Sequence, residues 1–350
     1  MRADIMNKPY RVLCVIPTLN EAAHIEGVLE RLLLDKGPLV LRIVVADGGS
    51  TDRTREIVQE FSQRHPNVLL INNPERIQSS AVNAAVRRYG RDADILIRCD
   101  AHAIYPVGYC RKLVETLERT EADSVVVPMD SLGETPFQRA VAWVSNSPIG
   151  TGGSAHRAGK QSGFVDHGHH AAFRMSMFRA AGGYDDSFTH NEDAELDCRQ
   201  RALGARIYLD SDVRLGYHPR KDVRSLFWQY FKYGAGRSRT VRRHPHSLRV
   251  RQLAVPGHLA VSLLAPLLLP WTSLLLLWPA AYLSALLAFS VVLCVRHRQA
   301  YALLGGVAAL VMHTAWALGF FLGFWNHRER VWLREMAVPL RLRAATGDGS

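Results

Sequence analysis

Between Leu253 and Trp325 the chain carries only two formal charges, Arg296 and Arg298. A soluble helix normally keeps a polar face, so a stretch this long without one points to lipid as its partner rather than to a protein core. A membrane-spanning helix needs about 20 apolar residues; the part from 253 to 295 is roughly twice that length, with Pro270 near its middle where a turn can sit. The spacing therefore predicts three apolar helices, over 253–270, 272–295 and 301–325. Three crossings would leave Arg328, Arg330, Arg334, Arg341 and Arg343 on the outer side, against the preference for internal basic residues, whereas two crossings and an interfacial first segment would return them inside.

The charge pattern agrees with a membrane neighbour. The net charge is +11, and ten Lys or Arg lie between Arg220 and Arg251 against the single acid Asp222. Basic residues just ahead of an apolar span suit anionic lipid head groups, and that reading is preferred to nucleic acid binding. Residues 1–10 lack the pattern of a secretory signal, so the N-terminal part is expected to stay in the cytoplasm. Cys14, Cys99, Cys110, Cys198 and Cys294 are odd in number and lack paired ligand spacing, which argues against both a disulfide framework and a zinc site.

From Arg11 onward, short β-branched runs alternate with helical patterns, the signature of an α/β fold with a mostly parallel sheet and crossover helices. Strands are expected at 11–16, 41–46, 68–71, 94–98 and 124–128. Asn20 is a plausible cap for a helix burying Ile25, Val28, Leu29, Leu32 and Leu33, and Pro106 suits the first position of another. The Gly- and Ser-rich segment 150–163 reads as a mobile or substrate-ordered loop. In open parallel sheets ligands bind beyond the carboxyl ends of the strands. Here those ends are unusually polar: Pro17-Thr18-Leu19-Asn20-Glu21, Asp47-Gly48-Gly49-Ser50-Thr51-Asp52 and Asp100-Ala101-His102.

Together with His190-Asn191-Glu192-Asp193, these runs resemble the motifs of the family 2 inverting glycosyltransferases over residues 10–240, and more narrowly those that act in succinoglycan synthesis. The resemblance implies a Rossmann-like GT-A catalytic fold. In it Pro17, Thr18, Asn20 and Glu21 line the donor nucleoside, and Asp47, with Gly49 and Ser50, meets its base. A fixed carboxylate against a ring N–H makes a charge-assisted bond, although an Asp before two glycines also serves simply to start a turn.

Asp100 and His102 take the place of the family's Asp-any-Asp element, which holds a divalent cation against the donor diphosphate. Oxygen ligands favour Mg²⁺, and His at the second place favours Mn²⁺. Asp193 would be the general base, with Glu192 beside it; acids also favour a helix N-terminus without any catalytic role. Asp166-His167-Gly168-His169-His170 could be read as a zinc site, but its place in the chain resembles the family's acceptor-facing loop, with His169 and His170 in it. Gln229-Tyr230-Phe231-Lys232-Tyr233 is similar to a Gln-any-any-Arg-Trp element and could equally be an amphipathic interfacial helix. The resemblance puts Gln229, Lys232 and Arg237 near the acceptor or diphosphate.

The expected organisation is a cytoplasmic catalytic domain over 1–245 (core 10–215, basic membrane-proximal segment 218–251), transmembrane helices over 252–327 and a basic tail over 328–350, in a multi-pass protein of the cytoplasmic membrane. The expected reaction moves a hexose, from UDP-glucose, to a polyprenyl-linked saccharide during exopolysaccharide assembly. Its partners would be the nucleoside diphosphate sugar, the lipid-linked acceptor, membrane lipids and other polysaccharide-assembly proteins. A polyprenyl-phosphate hexose synthase is the alternative enzyme, and a catalytically silent nucleotide-binding scaffold the alternative outside enzymes.

Overall fold

The computed structural model describes residues 9–35, 37–152, 159 and 161–341. Arg343 and half of the Gly- and Ser-rich segment expected at 150–163 therefore lie outside the described residues. In chain order the elements are β1 (Tyr10–Thr18), α1 (Ile25–Leu33), β2 (Leu39–Asp47), α2 (Thr54–Arg64), β3 (Val68–Asn72), α3 (Gln78–Tyr89), β4 (Ile95–Arg98), α4 (Tyr109–Thr120), β5 (Ser124–Val126) and β6 (Met129–Ser131). Then come α5 (Pro136–Ser145), α6 (Pro148–Thr151), β7 (Gly163–Val165), β8 (His170–Arg174), α7 (Met175–Ala180), α8 (Glu192–Ala202), β9 (Ile207–Leu209) and β10 (Leu215–Tyr217). The rest is helical: α9 (Val223–Arg243), α10 (Ala254–Leu267), α11 (Leu277–His297) and α12 (Leu304–Asn326). The chain divides into two compact units, one of residues 1–129, 159–216 and 333–350, the other of 130–158 and 217–332.

The first unit is built on an eight-stranded sheet of order β3-β2-β1-β4-β8-β5-β9-β7. β1 pairs in parallel with both β2 and β4, so Thr18 lies beside Asp47 and Val15 beside Arg98. β4 and β5 each pair antiparallel with β8, which makes the sheet mixed beyond β4. Val12 to Thr18 are all buried, as expected of a central strand covered on both faces. Cys14, Ile16, Ile43 and Ile97 face α1, α2 and α4, while Leu13, Val15, Val44 and Leu96 face α3, Phe173 and Phe178. Chain order reverses at β1, so the mouth of the sheet opens past the ends of β1, β2 and β4.

Two helix starts differ from expectation. Asn20 does not cap α1: it stands at φ 57° and spends its side-chain oxygen on the Thr51 N–H at 2.8 Å, and the helix begins at Ile25. Asn tolerates the left-handed region better than most residues, which lets it serve this turn instead. α4 begins at Tyr109, not Pro106, because Gly108 at φ 74° interrupts any right-handed helix running through it.

After the second unit the chain returns to the first. The Leu340 N–H donates to the Arg179 carbonyl at 2.9 Å, and Val338 and Leu340 lie directly over Gly182 and Gly183.

In the second unit α5 opens with a reciprocal Thr135–Gln138 capping box and a Pro at its first turn. Leu226 of α9 shares a core with Val141 and Val144 of α5, Leu286 of α11 and Ala308, Ala309 and Met312 of α12. The Glu329 side chain is enclosed between Arg239 and Arg243, at 2.5 and 2.7 Å. Two stretches, Leu274–His297 and Ala300–Asn326, are long and apolar enough to cross a membrane. The third expected one is not: α10 has 14 residues, about 21 Å at 1.5 Å per residue, against a hydrocarbon core of about 30 Å. Pro266 and then Pro270 cut its helical pattern short.

Candidate functional site

The loops after β1 and β2 are tied into one piece. The Asn20 N–H donates to Ser50 Oγ at 2.9 Å, the Glu21 N–H to Thr54 Oγ1 at 2.8 Å and the Ala22 N–H to Asp52 at 3.1 Å. Asp47 is the centre of this knot. Its carboxylate accepts from the N–H groups of Gly49 and Ser50, from Ser50 Oγ at 2.5 Å and from the Arg55 guanidinium at 2.7 Å. Burial alone would raise its pKa, but the bonds from Ser50 and Arg55 outweigh that and hold it below the usual carboxylate range. The turn-forming use of Asp47 is thus realised in full. Gly49 at φ 84° supplies the left-handed residue that the turn requires.

A second cluster forms where β4 meets α8, and its hub is Arg98, which opens the run through Asp100 and His102 but to which the sequence reading assigns no role. Arg98, the last residue of β4, is buried at 5% exposure. One guanidinium nitrogen donates to Asp193 at 2.7 Å and Glu192 at 3.2 Å; the other donates to Gln78 at 2.8 Å and faces Asp100 at 3.4 Å. Burial works against its charge, but Asp193, Tyr184, Asp100 and Glu192 together keep its pKa well above the ordinary value. Tyr184, to which the sequence reading also assigns no role, donates its hydroxyl to Asp193 at 2.8 Å.

His169 completes this cluster, with one ring nitrogen 3.5 Å from Asp100 and the other 3.7 Å from Asp193. Asp100 would be raised by burial, yet Arg98, His169 and His102 drive it far below the normal range. Glu192 goes the other way: burial and the neighbouring Asp193 push it up to about 7, with Arg98 opposing. Three carboxylates around one guanidinium leave a surplus of negative charge at the sheet's mouth.

The two clusters connect through the β1 loop. His102 Nδ1 lies 2.9 Å from Glu21, and Glu21 follows Asn20, which reaches Ser50 and so Asp47. Asp47, Asp100 and Asp193 therefore belong to one continuous network of side chains and loops.

The local sequence explains how α8 and Tyr184 are held. Gly182 and Gly183 take φ 85° and 72°, and a Cβ on Gly183 would stand 2.5 Å from the Asn83 side-chain oxygen. Asn83 brackets Tyr184, donating to its carbonyl at 2.7 Å and accepting its N–H at 3.0 Å. Arg199 donates to the carbonyls of Ala181 and Gly183 while paired with the fully buried Glu195 at 2.6 Å. The acids at the start of α8 also suit its dipole.

The three neighbouring histidines do not gather as a zinc site. His167 pairs with buried Asp197 at 2.8 Å, Asp166 pairs with Arg201 at 2.9 Å, and His169 faces Asp100 and Asp193. The side chain of His170 lies outside the described residues. Among the described residues no three His, Cys, Asp or Glu side chains form a ready-made ligand set.

Gln229, Lys232 and Arg237 all lie on α9 in the second unit. Gln229 donates to the hydroxyls of Tyr217 and Tyr233 at 2.8 and 3.1 Å, and Lys232 is exposed. Arg237 is buried and donates to the Ser247 carbonyl at 2.5 Å and to Gln252 at 3.0 Å. Its guanidinium fastens the turns after α9, a use the sequence did not suggest.

Residues 13–182 match the family model "Glycosyl transferase family 2". The chain is similar to the succinoglycan biosynthesis protein ExoA of Rhizobium meliloti (strain 1021), with 46% identity over 322 residues, covering 91% of this chain and 96% of that one. A more distant relative is the dolichyl N-acetyl-alpha-D-glucosaminyl phosphate 3-beta-D-2,3-diacetamido-2,3-dideoxy-beta-D-glucuronosyltransferase of Methanococcus voltae, 23% identical over 238 residues, 65% of this chain and 73% of that one. Among solved structures, the mannosyltransferase PcManGT from Pyrobaculum calidifontis, in complex with GDP-Man and Mn²⁺, aligns with TM-score 0.60 and 20% identity over 92% of this chain and 89% of that one. That likeness is one of fold.

Proposed function

The chain belongs to glycosyl transferase family 2, and on that footing we propose that it is an inverting hexosyltransferase moving glucose from UDP-glucose to a polyprenyl-linked saccharide at the cytoplasmic face of a membrane. The observation that carries the reading is the Arg98 cluster, which sets Asp100 and Asp193 around His169 at the mouth of the sheet. The similarity to a succinoglycan biosynthesis protein supports a surface-polysaccharide acceptor.

In this mechanism Asp193 removes the proton from the acceptor hydroxyl. Arg98 and Tyr184 fix one of its oxygens, while the other faces His169. Direct displacement puts the base opposite the leaving diphosphate, so the sugar carbon inverts. The network of Asn20, Ser50 and Asp47 orders the loops that line the nucleoside, with Pro17, Thr18, Glu21 and Gly49 in them.

The donor set suits a hard divalent cation, because the surplus negative charge beside Arg98 includes the strongly acidic Asp100. Asp100 would hold the ion, with His102 at its edge and donor oxygens filling the remaining positions. When bound, it would neutralise charge on the departing diphosphate. Mn²⁺ and Mg²⁺ both fit an Asp and His pair supplemented by phosphate oxygens.

The test is to incubate the purified protein in lipid with a panel of nucleotide sugars, divalent cations and lipid-linked saccharides, scoring nucleotide release and transfer. UDP release from UDP-glucose that depends on acceptor and metal is the expected result; turnover of another donor alone, or undiminished turnover with chelator, would overturn the corresponding part. A second reading, in which the sugar is loaded directly onto a polyprenyl phosphate, is favoured by 32% identity over 108 residues to the dolichol-phosphate mannosyltransferase of Pyrococcus furiosus. Extraction and analysis of the glycolipid product separates the two.

A further inference from the structure

α12 passes the tests of length and apolarity for a membrane span, yet its neighbours are wrong for one. α9 runs parallel to it over most of its length. Leu226 packs with Ala308, Ala309 and Met312, Gly319 has no room for a Cβ against the Phe231 carbonyl, and Gly234 has none against the Trp316 carbonyl. Farther along, Gly323 abuts Ala235, and Arg242 donates to the Phe324 carbonyl at 2.6 Å. α9 carries Arg224, Lys232, Arg237, Arg239, Arg242 and Arg243. If α12 crossed the bilayer, this helix would have to descend with it, carrying Lys232 to mid-membrane and Arg224 through to the far side while Arg237 to Arg243 stayed at the Asn326 end, which is costly.

The other end of α12 gives an independent argument. The turn between α11 and α12 is held by α5: Trp143 stacks on His297 with ring centroids 4.0 Å apart, and Arg139 donates to the Tyr301 hydroxyl at 3.1 Å. In sequence α5 sits between residues 129 and 159, both in the catalytic unit. Neither 130–135 nor 146–158 contains an apolar run long enough to cross. A turn on the far side of the membrane would therefore strand α5 there, with no segment able to carry it across and back.

α11 packs antiparallel on α12, with the Gly306 N–H donating to Ser290 at 2.8 Å and Tyr282 bonded to His313 at 2.9 Å. Were α11 to cross alone, α10 would have to return, and it is too short.

We propose that the second unit lies in one leaflet of the bilayer, that none of its helices crosses, and that both ends of α12 face the same aqueous side. Its occupant surface is an anionic membrane. Leu264, Leu267, Trp271, Leu283, Leu287 and Val292 are exposed and apolar, and Arg249, Arg251, Arg296 and Arg298 flank the helices that carry them. Apolar area together with nearby cations is the pattern of interfacial insertion into acidic lipid.

Sided labelling tests this in sealed native vesicles of both orientations, with a membrane-impermeant maleimide and the full chain in a Cys294→Ala background. Glu60→Cys on α2 reports the catalytic side. Gln299→Cys, in the turn before α12, is expected to label from that same side only, and Ser273→Cys, between α10 and α11, only after detergent is added. Labelling of residue 299 from the opposite side, or of residue 273 from the opposite side of intact vesicles, would overturn the proposal. Neither readout depends on which sugar is transferred, so failure here is distinct from failure of the glucosyltransferase reading.

Discussion

Arg98 and Arg199 are both buried and both reach acids in the first turn of α8, but the two surroundings differ in charge balance. Arg199 meets one carboxylate, Glu195, and two backbone carbonyls. The account closes at neutrality, and the result is a brace for the Gly182–Gly183 turn. Arg98 meets three carboxylates, Asp100, Glu192 and Asp193, and the excess remains facing the sheet's mouth. A neutral buried pair is architecture, whereas an unbalanced one has electrostatic capacity left for a ligand.

The largest expected effect that could break this contrast is on turnover. Asp193→Asn should lower the rate by about 10² to 10⁴-fold, the usual range for losing a general base, with little change in unfolding midpoint because Arg98 keeps Asp100 and Glu192. Transfer assays and denaturant unfolding on the same detergent preparation would show it; equal turnover would remove the base from Asp193.

Next in size is Glu195→Ala, which strands Arg199 without its carboxylate and should cost about 3 to 5 kcal/mol of stability. If unfolding is unchanged while turnover collapses, the brace is chemical after all and the contrast fails.

The smallest effect concerns pH and sharpens the picture. The Glu192 carboxyl is raised in the folded protein from 4.5 to about 7, so folding favours its protonated form. Its contribution is complete below about pH 4.5 and is lost as pH rises through about 7. Relative to Glu192→Gln, the wild-type melting temperature should therefore fall between pH 5 and pH 8. Parallel curves would mean that Glu192 does not titrate in this window.

The strand-and-helix alternation and the polar strand ends were legible in sequence because periodicity and turn chemistry are local. Arg98 was legible in principle: an arginine closing the strand Ile95-Leu96-Ile97 is costly unless paired, but its partners Glu192 and Asp193 come from α8, far along the chain. Tyr184 had no legible role, because what aims it is the left-handed backbone of Gly182 and Gly183 and the bracket from Asn83, a residue about a hundred positions away. The apolar C-terminal stretch showed affinity for lipid but not depth, because depth depends on what packs alongside. Gly234, Gly319 and Gly323 admit a basic helix against α12, a partnership that hydropathy does not encode. The starts of α1 and α4 were misplaced because a left-handed residue, Asn20 or Gly108, outranks a capping or proline preference.

The stretch Val338–Leu340, lying over Gly182 and Gly183, makes the first unit depend on residues that follow the whole of the second in the chain. A nascent chain released or cut near residue 245 would hold every motif residue of the first unit and still lack the cover on the turn that aims Tyr184 at Asp193. A chain shortened before residue 338 to remove the apolar helices would therefore lose the cover on the turn that presents Tyr184 to Asp193.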